Sequence, residues 1–506
     1  MSRLRVHEMA VSDMPRRLTI ARFFDLAELD STITISGTVD NISIEDIGGI
    51  ESITIHDGST IRPLTAHLRD ISQVSDGLSK WSTVQLQGER IRGADQNFEM
   101  SVSSARVLGQ SEPANPLNNG PSAILAHPHL RLRTPWQGLL MRFRSATVAA
   151  ITDYFLNHPE GPFHQVHHPV ITWTDCEGGA EVFPILTQNS KNAAAVLRDD
   201  YFGGRRYLTV TAAIHGEAFA MGLDRIWMLA PSFRAERVID DRHLAEFHML
   251  EIAMNYVESL DPLLRLCESF ARGLIERLGS SPVVKELFQS VGRSDTTSIK
   301  SSELEARWNL LCEPDWPRVT HAEAVVLMLD ATSKGKVEFK QTPGPEIDFS
   351  TEHEMFLLEH FQRPVFVTHY PTRIRLFSAL QSPPPADGNG VQTTESVDLL
   401  LPGIAEVFSG GLREHRLDKL VQVMREKSFF KESRAGMGLE KGGEYPYVRD
   451  GESLDSLRWF ADLRRYGTSP HGGFGIGFER LLVYLTGAQS TKEVIAFPRY
   501  YQSCEA

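Results

Sequence analysis

Two stretches of the chain concentrate cations, an aromatic ring and glycines in a way suited to holding a polyphosphate. In PSFRAERVIDDRHLAEFHMLEIAMNY (231–256), Arg234 stands two residues before Glu236, and a charged loop returns through Arg242, His243 and Phe247. Guanidinium groups donate bidentately to phosphate oxygens, and the flat Phe247 ring offers a surface on which a purine can stack. The segment reads as two antiparallel strands joined by a loop. A hairpin carrying only solvated charges is the plainer alternative, and so dense a run of Arg, His and Glu fits it poorly. In SPHGGFGIGFERLLVYLTG (469–487), Gly472, Gly473, Gly475 and Gly477 let backbone approach a ligand closely. This glycine-rich stretch reads as a turn. An amphipathic helix follows it, with Phe478, Leu481, Leu482 and Leu485 on one side and Arg480 in its first turn. Neither GxGxxG nor GxxxxGK[ST] occurs, which argues against a dinucleotide fold and a P-loop ATPase.

These groups need a scaffold large enough to fix them. The chain has 506 residues, 41% hydrophobic and 23% charged, which suits a soluble globular protein of two or three domains. No apolar run reaches the ~20 residues of a membrane helix, and the N-terminus lacks a signal-peptide pattern. Cys176, Cys267, Cys312 and Cys504 show no CxxC spacing, so a zinc site is not expected and a cytoplasmic location is. The net charge of −13 decides nothing about nucleic acid, because an acidic protein can keep a local basic face. From Ile33 the chain alternates apolar and polar residues in ITISGTVDNISI, ESITIHDGS, TVQLQGERI and FEMSVSSARV. About five short strands in under ninety residues suggest a small barrel of the OB type. The expected organisation is a lead-in (1–20), this barrel (21–110), a Pro/Gly/Asn/Ser-rich linker (111–128) and a long mixed region (129–506). Within the last, 141–158 has helical periodicity with Phe143, Val148, Ile151 and Phe155 on one face, and HHPVIT follows, with Pro169 opening a strand. Stretches 381–390 and 431–446 read as loops.

Taken in order, the helix leading to HHPVIT, the 231–256 segment and the 469–487 segment resemble the three signature motifs of class II aminoacyl-tRNA synthetases. The likeness is to the aspartyl, asparaginyl and lysyl subgroup, closest to the asparaginyl type. TDCEGGAEVF (174–183), YLTV (207–210), STEHEMFLLEHF (350–361), VDLLLPGIAEVFSGGLREHRLD (397–418) and DLRRYGTSPHGGFG (462–475) extend it. The resemblance implies an α+β fold: a catalytic domain built on an antiparallel sheet flanked by helices, an N-terminal OB-fold barrel, and a homodimer with motif one at its interface. It implies ATP and Mg²⁺ as cofactors. Arg234 would hold the α-phosphate and the attacking carboxylate, with Glu236, Arg242, His243 and Gly477 also in the ATP site. Phe247 and Arg480 would sandwich adenine, and Asp398 and Glu406 would hold Mg²⁺. The chemistry is attack of an amino-acid carboxylate on the α-phosphorus, with pyrophosphate leaving.

The same resemblance addresses the amino acid. Arg413 would donate to the side-chain carbonyl, and Glu217 would accept from a side-chain amide while repelling a carboxylate. Glu177 and Glu251 would surround the α-ammonium. The sequence departs from the asparaginyl pattern at Ala213, Leu412, His369 and IRLFSA (374–379). On the barrel, no Lys or Arg lies between Ser31 and Thr60, the acidic Asp40, Glu45, Asp46, Glu51 and Asp57 occur instead, and Ser52 stands where the family has a stacking Phe. Losing a base stack costs on the order of 1–3 kcal/mol. Arg237 leaves contact with a tRNA acceptor stem open. Three readings follow: an asparaginyl-tRNA synthetase-type ligase, a paralogue that uses the adenylate for amide or ester formation in biosynthesis, and a non-catalytic regulatory relative. The retained Arg234, Glu236, Asp398, Glu406 and Arg480 weigh against the last.

Overall fold

The computed structural model describes residues 18–504 apart from 26, 28–31, 45–49, 69–76, 174–180, 186–200, 203–204, 293–296, 298, 385–389 and 433–444. The chain packs as two compact units, 1–142 and 143–506.

In the first unit the period-two runs become β1 (Ile33–Ile44), β2 (Ile50–His56), β4 (Thr83–Arg92) and β5 (Phe98–Gly109). A short β3 (Leu64–His67) was not evident from alternation. They close into a five-stranded barrel in the order β1-β2-β3-β5-β4. Alternation drives the closure: Ile33, Ile35, Ile53, Ile55, Leu64, Ala66, Val84, Leu86 and Met100 point inward and are buried together. The stretch read as a linker holds a 3₁₀ turn at Pro116–Asn119, capped by Asn115, whose side chain accepts from Leu117 N at 3.0 Å.

The second unit is built on an eight-stranded sheet. Its strands are β6 (His164–Gln165), β7 (Arg225–Phe233), β8 (Glu246–Asn255), β9 (Arg318–Thr320), β10 (Val365–Thr368), β11 (Ser396–Leu401), β12 (Ala405–Arg413) and β13 (His471–Gly477), in the spatial order β9-β10-β11-β12-β13-β8-β7-β6. All pairs are antiparallel except the two at the edges, β9–β10 and β6–β7. The predicted hairpin is β7–β8, in register from Arg225↔Met254 to Phe233↔Glu246.

The glycine-rich segment read as a turn is instead the central strand β13, wedged between β8 and β12. Glycine is required there because neighbouring strands crowd both faces. A Cβ at Gly473 would stand 2.2 Å from Ile252 O, and one at Gly475 would stand 2.8 Å from Glu251 Oε2. Helix α1 (Pro135–Leu156) buries Phe143, Thr147, Ile151 and Phe155 at four-residue spacing, with Val148 only partly covered. Its N-terminal proline starts it six residues before the expected boundary, at a position where the missing N–H costs nothing. The other helices that frame the site are α2 (Ala213–Leu223), α3 (Ser301–Cys312), α4 (Thr351–Phe361), α5 (Arg458–Arg465) and α6 (Phe478–Thr486). Among the described residues no helix is long and apolar enough to cross a membrane.

Candidate active site

A cavity of about 410 Å³ opens over the sheet along β8, β12 and β13, beneath the loop that follows β7. Strand alternation fills it. Phe247, Met249 and Glu251 of β8 line it, whereas the alternate Leu250 and Ile252 are buried and do not. Arg234, Glu236, Arg242, His243 and Phe247 all line it, as do Glu251, Glu406, Arg413, Gly477 and Arg480. Ten residues drawn from three separate stretches of sequence therefore share one cavity. Glu217 and Asp398 are buried beside it, and Glu177 lies outside the described residues.

At one end the cations gather. The Arg234 guanidinium stands 5.6 Å from the Phe247 ring centroid. Asp240 tightens the loop between β7 and β8: its Oδ1 accepts from the backbone N–H groups of Arg242 and His243 at 2.9 and 2.8 Å, and its Oδ2 meets His243 Nδ1 at 2.6 Å. Arg480, held on the first turn of α6, donates to Glu406 O at 3.1 Å, and Arg242 donates to the same oxygen at 3.5 Å. Glu479, next to Arg480, is buried and pairs with Arg144 at 2.9 Å and His248 at 3.0 Å. Burial alone would raise its pKa, but His248 and Arg144 outweigh that and hold it down.

Beside these cations lies a group of carboxylates. Asp398 is paired with Arg375, and its Oδ1 is buried with no hydrogen-bond partner. Burial, then the neighbouring Asp398, raise the pKa of Glu406. Burial and Glu406 push Glu354 up to about 8. Three carboxylates crowd one another here, and Arg375, Arg480 and Arg242 offset only part of the penalty. Among the described residues no three His, Cys, Asp or Glu side chains form a complete cage for a metal ion.

At the other end sits a clamped carboxylate. Glu217 Oε2 accepts from Arg464 and lies 3.0 Å from His471 Nε2. Its Oε1 has no hydrogen-bond partner and is 3.7 Å from Arg413 Nε. Burial raises the Glu217 pKa, yet Arg464, His471 and Arg413 prevail and lower it to about 2. Glu251 accepts from the Thr211 hydroxyl at 2.6 Å.

The four departures behave differently. Ala213 lines the cavity, and so does Arg375 of IRLFSA. Leu412 is buried and packs towards Gly472, away from the cavity, so its change belongs to the core. His369 pairs with Glu395 at 3.5 Å and does not line the cavity. Sequence reasoning did not single out Glu354, Arg375, Arg464, His471 or Glu479. The quoted segments STEHEMFLLEHF and DLRRYGTSPHGGFG contain three of them, but nothing in linear spacing brings Arg464 to Glu217, 247 residues away.

Comparison with known proteins agrees with this architecture. The family model described as tRNA synthetases class II (D, K and N) matches residues 121–501. An asparagine–tRNA ligase of Microcystis aeruginosa is 32% identical over 491 residues, covering 95% of this chain and 98% of that protein. An asparaginyl-tRNA synthetase of Mus musculus is 32% identical over 462 residues, covering 89% and 86% respectively. The crystal structure of asparaginyl-tRNA synthetase from Pyrococcus horikoshii, complexed with asparaginyl-adenylate, superimposes with a TM-score of 0.74 at 24% identity, covering 97% of this chain and 100% of that one. The Entamoeba histolytica asparaginyl-tRNA synthetase gives 0.73 at 21% identity, covering 95% and 98%. At such identities the structural likeness speaks for the fold, and the sequence likeness carries the kinship. The chain belongs to the class II tRNA synthetases of the aspartyl, lysyl and asparaginyl group, as an aminoacyl-adenylate-forming ligase of asparaginyl-tRNA synthetase type.

Proposed function

We propose that this ligase activates asparagine, or a close analogue of it, with ATP and Mg²⁺ and passes the acyl group to tRNA, acting as a homodimer. The observation that carries the reading is the half-occupied Glu217 carboxylate. With Oε2 committed to Arg464 and His471, Oε1 remains to accept a side-chain amide N–H, and Arg413 beside it can donate to the amide carbonyl. An aspartate side chain would set a second carboxylate against Glu217 without a proton to share. Glu251 is an acidic partner for the α-ammonium, and Glu177 is assigned to the same group from the sequence alone.

Arg234 orients the substrate carboxylate and the α-phosphate. One carboxylate oxygen attacks the α-phosphorus, the bond to the β-phosphate oxygen breaks, and pyrophosphate leaves with that electron pair. Phe247 and Arg480 bracket adenine, and Arg242, His243 and Arg480 hold the distal phosphates. A divalent cation held by Asp398 and Glu406 would neutralise phosphate charge, and the mutual repulsion of Asp398, Glu406 and Glu354, with Asp398 Oδ1 left without a hydrogen-bond partner, supports that fit. No protein nucleophile is needed, because positioning and charge neutralisation supply the rate.

A second reading keeps the adenylate and changes the acceptor. It is favoured by one feature of the barrel: Ser52 stands opposite Ser43 and His67 in the β1–β2–β3 register, and His67 is engaged with Glu99 at 2.7 Å. Among the described residues, the positions opposite Ser52 hold a serine and a histidine already engaged with a carboxylate, and no Phe, Tyr, Trp, Lys or Arg. Charging of bulk tRNA with radiolabelled asparagine separates the two. Acylated tRNA at turnover rates comparable to adenylate formation supports the first reading. Adenylate formation without acylated tRNA supports an alternative amine or hydroxyl acceptor.

A further inference from the structure

A second cavity of about 250 Å³ lies against the phosphate end of the first, and Arg242 and Arg480 line both. The two guanidiniums donate to one carbonyl, Glu406 O, and so stand together between the cavities. Burial first, then Arg480, lowers the Arg242 pKa, with Glu354, Glu406 and Asp240 offsetting part of that, and Arg242 Nε is buried with no hydrogen-bond partner. From the far side α3 contributes a third guanidinium, Arg307, which holds Glu303 at 3.0 Å and lies 5.8 Å from the Tyr484 ring centroid. The turn at Gly403, with φ +87°, lies so close to it that a Cβ there would stand 3.3 Å from Arg307 Nη2. The other charged group on this cavity's lining is Asp241. Three guanidiniums converge on a space with one carboxylate on its wall, and the phosphate-handling pair is common to both sides.

We propose that this second cavity is an anion pocket that receives the pyrophosphate released by adenylation. The proposal rests on the adenylation reading above. A diphosphate held by Arg242 and Arg480 in the main cavity can move onto their opposite side without losing both contacts, while Arg307 supplies the new one. Guanidinium groups suit this because each has several donors pointing in different directions. The pocket separates the product from the α-phosphorus, which it would otherwise attack in the reverse reaction.

Two variants test it, Arg307→Gln and Gln489→Glu, the latter adding a carboxylate to the exposed rim without touching Arg307. In the reverse, pyrophosphate-dependent direction each raises KM for pyrophosphate about tenfold, the value of one charge-assisted contact. KM for ATP and the single-turnover rate of adenylate formation stay unchanged. An unchanged KM for pyrophosphate in both variants overturns the pocket, and so does an equal rise in KM for ATP, which would make the two cavities a single site. Loss of all exchange in the unmodified protein strikes the adenylation reading instead. Calorimetric titration with inorganic pyrophosphate then still decides the pocket: weaker binding in both variants supports it, and equal binding refutes it.

Discussion

Replacing Glu217 by Gln removes one charge and little volume from the centre of the side-chain end of the site. Arg464 has a fully buried side chain and donates to Glu217, Glu414 O and Phe460 O, so among the described residues Glu217 is its one acidic partner. Leaving such a charge uncompensated costs about 3–5 kcal/mol. The carboxyl itself gives a second route to the magnitude. Its fall from 4.5 to about 2 on folding corresponds to about 3 kcal/mol of stability at neutral pH. A depressed folded pKa means that this stability is present above the unfolded value and is lost as pH falls through the folded one. The difference in urea stability between the parent and Glu217→Gln should therefore be about 3 kcal/mol at pH 7 and shrink steadily as pH falls from 4.5 towards 2. Asparagine loses a charged acceptor in the same variant, so its KM should rise about 10- to 100-fold with KM for ATP unchanged. A stability loss without any change in asparagine KM would keep the clamp and refute its role in selection. No stability loss would refute the clamp.

Arg480→Ala removes the cation assigned to both adenine and the triphosphate, and should reduce amino-acid-dependent pyrophosphate exchange at least about 100-fold; near-normal exchange would mean that α6 does not face ATP. Glu406→Gln relieves a carboxylate whose charge the site disfavours, so in metal-free buffer its Tm should match or exceed that of the parent while exchange is lost; a lower Tm would contradict the cation-site reading. Arg375→Met leaves the buried Asp398 without its guanidinium partner and should destabilise by about 3–5 kcal/mol, most of it recovered in the Arg375→Met/Asp398→Leu double variant. Additive losses on denaturant titration would show that the pair is not coupled.

Local patterns carried much of the architecture. The barrel strands announce themselves by alternation because each has a buried and an exposed face. The β7–β8 hairpin is marked by the charged loop between two apolar runs. Segment 469–475 misleads for a physical reason: its glycines are selected by crowding from β8 and β12 on either side, which a linear reading mistakes for turn chemistry. The two-residue strand β6 and the three-residue strand β9 lie below what periodicity can resolve. In the site, residues with a fixed spacing on one hairpin, such as Arg234, Arg242 and Phe247, could be grouped directly. The Arg464–Glu217–His471 clamp and the Arg375–Asp398 pair could not, because each joins segments distant in the chain. The apparent departure at Leu412 is a core contact, whereas Ala213 lines the cavity, and sequence alone gives both the same weight.

The central claim is that this chain makes an asparagine-type adenylate, and amino-acid-dependent ATP–pyrophosphate exchange tests it most directly. With the twenty standard amino acids and close asparagine analogues offered singly, the arrangement around Glu217 and Arg413 predicts Mg²⁺-dependent exchange with asparagine or an amide-bearing analogue, and none with aspartate. Exchange with aspartate in preference to asparagine, or with no candidate at all, would contradict it.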